Sequence, residues 1–371
     1  MSRSRPIYII GAGSIVRDAH IPAYRDARYD VGGIFDLDTA RVRELAGEAG
    51  TRAFTTLEDL IDDCVRHEGV FDLALPPKAV RPTLARLPED SFALVQKPFG
   101  VDLADATALL SLARARRITG VVNFQLRHAP VVREARRLLA SGAIGEPVDL
   151  EMRVVCKMPW ETWPFLRGMP RMEILMHAIH YLDLVRGIMG EPDRVWSAVA
   201  GHPDARDIAE SRSTTILTFD RAGISTQHAE KRAVVTTYHH HTAPEGHDAS
   251  HLRIEGTRGT IVARLGVNLD YPRGRPDTLE WSREGGPWQS ISVAGHWFPH
   301  AFAGPMTSLQ VLAARVAHSA ESNAPQNAPQ NALKALPRVE SMFDDAWRTM
   351  ALVETCYKSA SGGERVPELH L

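Results

Sequence analysis

The sequence contains few cysteines. Cys64, Cys156 and Cys356 are the only three in 371 residues. They lie far apart, follow no metal-binding or redox spacing, and their odd number does not allow all of them to pair within one chain. We therefore expect reduced thiols and a cytoplasmic protein.

Long apolar runs and a strong charge bias are also missing. No stretch approaches the roughly 18 apolar residues that a membrane-spanning helix requires. The apolar start "IYIIGAG" is short and ends in glycines, which is typical of a strand rather than a signal peptide. The net charge of −2 and the isoelectric point near 6.8 favour neither nucleic acid nor an anionic membrane as a partner. These features predict a soluble protein.

The chain does show a regular alternation of strand-like and helix-like segments up to about residue 125. The runs "IYIIG", "VGGIFD", "VFDLAL", "FALVQ" and "GVVNF" alternate with helical patterns, as in a parallel sheet covered by helices. Between about 193 and 293, strand-like runs separated by turn residues predict a largely antiparallel sheet. We therefore predict an α/β protein with a doubly wound parallel-sheet domain at 1–125 and a second α/β domain for substrate binding and oligomerisation at 126–371. The last helix of the chain could pack back on the first domain. Within the second domain, "ESNAPQNAPQNAL" at 321–333 is expected to be a mobile surface loop.

A glycine pair marks the predicted nucleotide site. Gly11 and Gly13 follow the first strand and precede a helix, so backbone N–H groups can approach a pyrophosphate at the helix N-terminus. Val16 replaces the third glycine of the usual fingerprint. Asp36 ends the second strand, where an acid accepts hydrogen bonds from a ribose and favours NAD over NADP. Arg41 could reach a 2′-phosphate, so NADP stays open as an alternative.

Several motifs together resemble one protein family. With "GAGSIVR…HIPAY", "QKPFG" at 96–100, "NFQLRHAP" at 123–130, "GAIGEP" at 142–147 and "HAIHYLDLVRGIMGEP" at 177–192, the chain resembles the Gfo/Idh/MocA oxidoreductases. The resemblance implies a Rossmann domain followed by an α/β domain with an open antiparallel sheet. It also implies hydride transfer between a nicotinamide cofactor and a hydroxyl carbon of a sugar or polyol, and a homodimer or homotetramer joined through the open sheet.

The family's Glu-Lys-Pro triplet appears here as Gln96-Lys97-Pro98. In the family the lysine contacts the reacting hydroxyl, and the resemblance also suggests a cis peptide bond at Pro98. A lysine there can stabilise charge on the substrate oxygen as hydride leaves. The expected cofactor-binding residues are Gly11, Gly13, Ser14, Ile15, Asp36, Pro76 and Lys97.

The family's second signature, Asp-x-Gly-x-His-x-x-Asp, is only partly matched. His180 and Asp183 agree with it, but Met176 occupies the place of the first aspartate, and a thioether cannot take a proton. The resemblance therefore assigns the role of base to His180, beside Lys97. Asp183 is expected to orient its neighbours.

Glu173 and His177 could replace the missing acid. At about 100° per residue, they share a helix face roughly 60° wide with His180. Because an imidazole titrates near neutral pH, His177 is included among the expected catalytic residues, Lys97, His180 and His177. A packed, non-catalytic His177 is the alternative.

Other segments offer substrate contacts. Trp160, Trp163, Arg167 and Arg171 could stack on a sugar and bind its hydroxyls, although ordinary packing of the tryptophans is equally compatible with the sequence. The expected substrate-binding residues are Asn123, Arg127, Trp163, Arg167, Glu173 and Asp183.

The histidine-rich stretch at 238–247, with His251 after it, contains candidate metal ligands. Hydride transfer needs no metal, and we interpret the stretch as a polar loop, so no metal site is predicted.

Two other functions stay open at this point. One is a redox-neutral enzyme that uses NAD transiently, such as an epimerase, lyase or glycosidase. The other is a non-catalytic protein that senses a ligand or nucleotide, which the changes at Met176 and Gln96 would suit.

Overall fold

The structure is a computed structural model that describes residues 4–158, 160–220, 230–239, 248–266, 269, 274–295, 297–321 and 339–362. The chain divides into two compact units, with residues 1–129 and 296–350 in unit 1 and residues 130–295 and 351–371 in unit 2. The sequence predicts a boundary near residue 125 and a last helix that could pack back on the first domain. Here residues 296–350 group with the first unit.

Unit 1 is built on a parallel sheet whose strand order is β2-β1-β3-β4-β5. The five strands are β1 (Ile7–Ile10), β2 (Val31–Phe35), β3 (Val70–Leu73), β4 (Phe92–Val95) and β5 (Thr119–Val122). All four residues of β1, β3 and β4 are buried, as expected for central strands covered on both faces. Since β2 and β3 lie on opposite sides of β1, the strand order reverses at β1, where parallel sheets commonly bind ligands.

The helices of unit 1 follow the predicted pattern closely. They are α1 (Ile21–Asp26), α2 (Thr39–Ala49), α3 (Leu57–Arg66), α4 (Pro77–Leu84), α5 (Leu103–Ala115) and α8 (Trp297–Glu321), to which α9 (Phe343–Ala360) adds its first residues. A π-helical segment, Val16–His20, leads into α1. Asp38, Thr56 and Asp102 cap α2, α3 and α5 by accepting hydrogen bonds from backbone N–H groups.

Unit 2 contains an eight-stranded sheet in the order β13-β12-β11-β10-β6-β9-β8-β7. Its strands are β6 (Pro147–Val155), β7 (Arg194–Ala200), β8 (Arg212–Phe219), β9 (Lys231–Tyr238), β10 (Ala249–Gly256), β11 (Gly259–Arg264), β12 (Thr278–Arg283) and β13 (Gln289–Ile291). The β6–β9 pair is parallel and the other described pairs are antiparallel, so the predicted largely antiparallel sheet is confirmed. Helix α6 (Pro130–Ala140) contacts β11 and β12, and α7 (Ile179–Met189) contacts β6 and β9.

One local expectation was wrong. The turn before α7, Glu173–Ala178, is a π-helix. The spacing of about 100° per residue that we assumed for an α-helix therefore does not apply there. Within the region predicted to be rich in strands, residues 221–229 and 240–247 lie outside the described residues, as does the low-complexity loop beyond Glu321. In the part of the chain that the structure describes, no helix combines the length and apolar character needed to cross a membrane.

Candidate active site

All five parallel strands of unit 1 lead into residues expected to form the site. Gly11 follows β1, Asp36 follows β2, Pro76 lies shortly after β3, Lys97 comes after β4, and Asn123 follows β5. Because the strands are parallel, these positions lie at the same edge of the sheet. The structure therefore collects residues that are far apart in the sequence along the carboxyl edge of unit 1.

The two glycines of the fingerprint differ in whether the surrounding structure requires a glycine. Gly11 has a φ of +116°, and a Cβ at this position would lie 2.4 Å from the carbonyl oxygen of Ala74. Only glycine fits there. At Gly13 an added Cβ would meet no described atom within 4 Å. Gly13 is thus not required by the packing of the described residues, whereas Gly11 is.

Val16, where the fingerprint would have a third glycine, is fully buried in the π-helical segment. The adjacent Ser14 and Ile15 are partly buried at the start of the helix. The loss of the third glycine therefore leaves a packed helix that still begins at the end of β1.

Asp36 is fixed in place by the backbone around it. One carboxylate oxygen accepts a hydrogen bond of 2.7 Å from the N–H of Ala12, and the other accepts one of 3.0 Å from the N–H of Asp38. Arg41 lies one turn into α2, and its guanidinium is 3.3 Å from the carboxylate of Asp38. The acid therefore stands beside the glycine turn while the nearby arginine already has an acidic partner.

Lys97 occupies a desolvated position after β4. The peptide bond between Lys97 and Pro98 is cis, which confirms the expectation for this motif. The Lys97 N–H donates a 2.9 Å hydrogen bond to the side-chain oxygen of Gln96. Burial lowers the pKa of the Lys97 amine to about 8. A lysine with this pKa can hold or release a proton near neutral pH.

A buried polar network that the sequence did not predict lies behind Lys97. His20 Nδ1 is 2.7 Å from Asp72 Oδ2, and the Tyr24 hydroxyl donates to the same oxygen at 2.6 Å. The side-chain nitrogens of Asn123 and Gln96 face His20 Nε2 at 3.2 and 3.4 Å. With these amides as donors, Nε2 accepts and Nδ1–H donates to Asp72.

This network explains the unusual residue at position 96. The glutamine has an N–H to offer His20 Nε2 and an oxygen for the N–H of Lys97. An ionised glutamate would supply acceptors only. His20 belongs to the quoted "HIPAY" motif, which was the one sequence signal that could have indicated the network.

Arg127 and Asn123 have structural partners in unit 1. The guanidinium of Arg127 is 2.9 Å from the carboxylate of Asp345, and both side chains are largely buried. The side chain of Asn123 is buried, and its oxygen has no hydrogen-bond partner among the described residues. A substrate-binding role for these two residues stays a prediction.

In unit 2, Glu173 stands at the centre of a second cluster. It is fully buried in the π-helical turn, and its Oε1 is 2.7 Å from Nδ1 of His239. Its Oε2 is 3.3 Å from Nδ1 of His177, and the hydroxyl of Thr237 donates to Oε1 at 2.5 Å. The ligand atoms of Glu173, His177 and His239 all lie within 4.8 Å of one another.

The carboxylate of Glu173 and the imidazoles of this cluster stabilise each other's charged forms. Burial alone would raise the pKa of Glu173. The positive charges of His239 and His177 and their hydrogen bonds to the carboxylate outweigh burial, so the pKa of Glu173 is lowered. Burial alone would lower the His239 pKa, but the Glu173 carboxylate outweighs burial and raises it. His239 is the first histidine of the histidine-rich stretch. Its role in this cluster was missed because the ring contacts a residue 66 positions away.

The residues of the second family signature lie on and before α7. His180 is partly buried in its first turn, and Met176 is buried in the π-helical turn before it. Asp183 is buried, and its carboxylate lies 3.8 Å from the guanidinium of Arg186. The same guanidinium donates a hydrogen bond to Glu191. Asp183 thus has the structural setting of an orienting group.

The aromatic and basic residues before α7 are spread over different environments. Trp160 is buried and packs against His177, with ring centroids 6.1 Å apart. Trp163 is partly buried, and the exposed Arg167 forms an ion pair with Asp207. Arg171 binds Glu354 at 2.7 Å. The structure therefore gives both arginines acidic partners, and their proposed contacts with substrate stay untested.

Comparison with known proteins agrees with this architecture. Residues 6–124 match the model of an oxidoreductase family with an NAD-binding Rossmann fold, GFO_IDH_MocA, and residues 132–262 match the GFO/IDH/MocA C-terminal domain. A D-apiose dehydrogenase from Paraburkholderia graminis is 25% identical over 319 residues, which cover 78% of each protein.

Two solved structures share the fold. An inositol dehydrogenase homologue from Azotobacter vinelandii, complexed with NADH and myo-inositol, has a TM-score of 0.75 at 16% identity, covering 98% of this chain and 97% of that one. An oxidoreductase from Agrobacterium radiobacter, in complex with NAD+, L-tartaric acid and magnesium, has a TM-score of 0.73 at 20% identity and covers 98% of each chain. The predicted fold class is thereby confirmed.

Proposed function

Because the chain belongs to the Gfo/Idh/MocA oxidoreductases, with their NAD-binding Rossmann fold, we propose that it transfers a hydride between NAD and a hydroxyl-bearing carbon of a sugar, cyclitol or related polyol. The observation that carries the proposal is the row of residues at the carboxyl edge of the parallel sheet. It places a nucleotide-type turn at Gly11 and a lysine with a lowered pKa at Lys97 at the same edge.

The residues of unit 1 fit a dinucleotide. Gly11 allows the tight turn after β1, and Gly13 adds no side chain where a pyrophosphate would approach the helix N-terminus. Ser14, Ile15 and Pro76 line the same edge of the sheet. Asp36 would accept hydrogen bonds from the adenosine ribose, and its charge disfavours a 2′-phosphate. The ion pair between Arg41 and Asp38 supports the same preference for NAD over NADP.

The proposed chemistry divides between cofactor and protein. The nicotinamide ring, when bound, accepts or returns the hydride. Lys97 donates a hydrogen bond to the substrate oxygen and stabilises the negative charge that builds there. His180 takes the hydroxyl proton in the oxidative direction and returns it in the reverse direction. Glu173 lies within hydrogen-bonding distance of His177 and His239, so these three residues already serve one another. We therefore assign the proton transfer to His180 and Lys97 and give no part in it to Glu173 or His177.

The substrate class rests on the relatives. The D-apiose dehydrogenase is named for a sugar substrate, and the inositol dehydrogenase homologue was solved with a cyclitol. A partly buried Trp163 offers an aromatic surface for the C–H face of such a molecule.

The open sheet of unit 2 supports self-association. Trp196 on β7 and Ile216 on β8 are paired in register, and their side chains are exposed by 51% and 38%. A large aromatic and an aliphatic side chain side by side on an exposed strand pair suit a protein contact. We expect a homodimer or homotetramer formed through this face, which light scattering after size-exclusion chromatography can measure.

The test is a substrate screen with matched variants. Purified protein is incubated with aldoses, cyclitols and sugar acids plus NAD or NADP, and the absorbance of the reduced cofactor is followed. We expect turnover with one of these classes and a higher kcat/KM with NAD. Lys97→Ala and His180→Ala should each lower kcat at least ~100-fold.

The exposed Lys78→Ala and His300→Ala serve as controls. Lys78 lies on α4, and His300 lies near Asp26 at the end of α1. Both controls should retain wild-type kcat. Full activity of His180→Ala, or the absence of turnover with every compound despite cofactor binding, would overturn the proposal.

A further inference from the structure

Three potential metal ligands converge inside unit 2. Glu173 and His177 come from the π-helical turn before α7, and His239 is the residue that follows β9. Glu173 and His239 are 0% and 4% exposed, and His177 is 8% exposed. A carboxylate and two imidazoles thus face one another in the interior of the unit.

The donor set is that of a transition-metal site. Two imidazoles and one carboxylate are the protein ligands of many zinc sites and of the two-histidine, one-carboxylate iron sites. Their ligand atoms here lie within 4.8 Å of one another. Ligands about 2.1 Å from a tetrahedral zinc ion stand about 3.4 Å apart. Glu173 Oε2 and His177 Nδ1 are 3.3 Å apart, so an ion can enter with small side-chain shifts.

The second layer around the cluster also suits a metal. The hydroxyl of Thr237 donates to Glu173 Oε1, and the thiol of Cys156 shares a hydrogen bond with His239. Outer hydrogen bonds of this kind fix the orientation of metal-binding carboxylates and imidazoles. The rings of His177 and His239 lie with centroids only 4.2 Å apart, which brings both imidazoles to the same carboxylate.

We propose that Glu173, His177 and His239 bind one divalent transition-metal ion of the zinc class within unit 2. Three protein ligands leave at least one coordination position for water or another oxygen ligand. The proposal is independent of hydride transfer, since it concerns binding of an ion by residues to which the proposed oxidoreductase chemistry assigns no role.

The experiment uses full-length protein purified without a histidine tag. The protein is dialysed against a chelator and then against chelator-free buffer, and zinc binding is measured by isothermal titration. The bound zinc is then counted by mass spectrometry after gel filtration. We expect one zinc ion per chain. Cobalt offered in place of zinc should give the visible absorption of a four- or five-coordinate site with nitrogen and oxygen ligands.

Two ligand variants and one control locate the site. His177→Gln and Glu173→Gln should each weaken zinc binding by at least ~100-fold, since changes of outer partners alone cost 10- to 100-fold. Because Glu173→Gln alters a fully buried group and could fail to fold, His177→Gln is the decisive variant, with circular dichroism as the check on folding.

The double variant His240→Gln/His241→Gln, in the neighbouring histidine run, is the control and should bind zinc like the wild type. The proposal fails if the folded wild type binds no zinc or cobalt. It also fails if His177→Gln binds zinc normally while the double variant does not, because the ion would then belong to the histidine run.

Discussion

Replacing each fingerprint glycine by alanine should separate the fold from cofactor binding. In Gly11→Ala the new Cβ would lie 2.4 Å from the Ala74 carbonyl oxygen, on a residue with a φ of +116°. Backbone strain of this kind costs about 1–3 kcal/mol, and overpacking costs a similar amount. We expect Gly11→Ala to lower the free energy of unfolding by at least about 3 kcal/mol.

Gly13→Ala should behave differently. No described atom lies within 4 Å of its added Cβ, so the free energy of unfolding should change by less than about 1 kcal/mol. The methyl group would, however, occupy the approach of a pyrophosphate to the helix N-terminus. NAD affinity should therefore fall about 10- to 100-fold, which corresponds to about 1.4 to 2.7 kcal/mol of binding free energy.

Urea denaturation measures the first quantity and isothermal titration with NAD the second. Gly11→Ala is titrated at a temperature where circular dichroism shows it folded. The reasoning is refuted if Gly13→Ala binds NAD like the wild type. It is equally refuted if Gly13→Ala loses as much stability as Gly11→Ala.

Two further predictions concern buried charges in unit 1. The pKa of Lys97 falls from the ordinary 10.5 to about 8, so the neutral fraction of this amine at pH 7 should be about 300 times that of an ordinary lysine. Its labelling by an amine reagent, followed by peptide mass spectrometry, should reach half its maximal rate near pH 8, and a rate still rising beyond pH 10 would contradict the assignment. Removing the acid from the buried Arg127–Asp345 pair leaves an uncompensated charge, so Asp345→Ala should cost about 3 kcal/mol of unfolding free energy, while Asp345→Asn, which keeps one acceptor oxygen, should cost less. Equal urea midpoints for the wild type and Asp345→Ala would show that the pair does not stabilise the fold.

The parallel-sheet unit was predictable because its signals are local. β1 and β4 are buried along their whole length, and each appears in the sequence as a continuous apolar run. Gly11 follows β1 directly, and Asp36 follows the neighbouring strand β2. The motif around Lys97 was also recognisable, because its lysine and proline match the family's Glu-Lys-Pro triplet. The cis peptide bond predicted from that resemblance is present.

The chemistry of unit 2 was less predictable because it depends on distant contacts. β9 begins within the run "EKRAVVTTY", which lacks a clean alternation of apolar and polar residues, and no turn residue marks the start of the strand. His239 reaches Glu173, which lies 66 residues earlier in the chain, because the π-helical turn Glu173–Ala178 packs against β9. The π-helical turn before α7 also changed the expected side-chain directions, and periodicity at 3.6 residues per turn cannot anticipate it.

The same limit applies to the network around His20. Its partners Asp72, Gln96 and Asn123 come from the ends of three different strands. No local pattern in the sequence indicates that these three residues meet. They lie close together because of the order of the strands in the sheet. The alternation of strands and helices along the sequence predicts a parallel α/β fold, but it does not predict that order.

The most direct test of the proposed oxidoreductase follows the hydride itself. Polyols and sugars deuterated at their carbinol carbons are incubated with NAD+ and the protein, and the recovered cofactor is analysed by mass spectrometry. We expect reduced cofactor carrying one deuterium, formed by the wild type and lost in the Lys97→Ala/His180→Ala double variant. Bound NAD that stays oxidised and unlabelled with every deuterated compound would contradict hydride transfer from this substrate class.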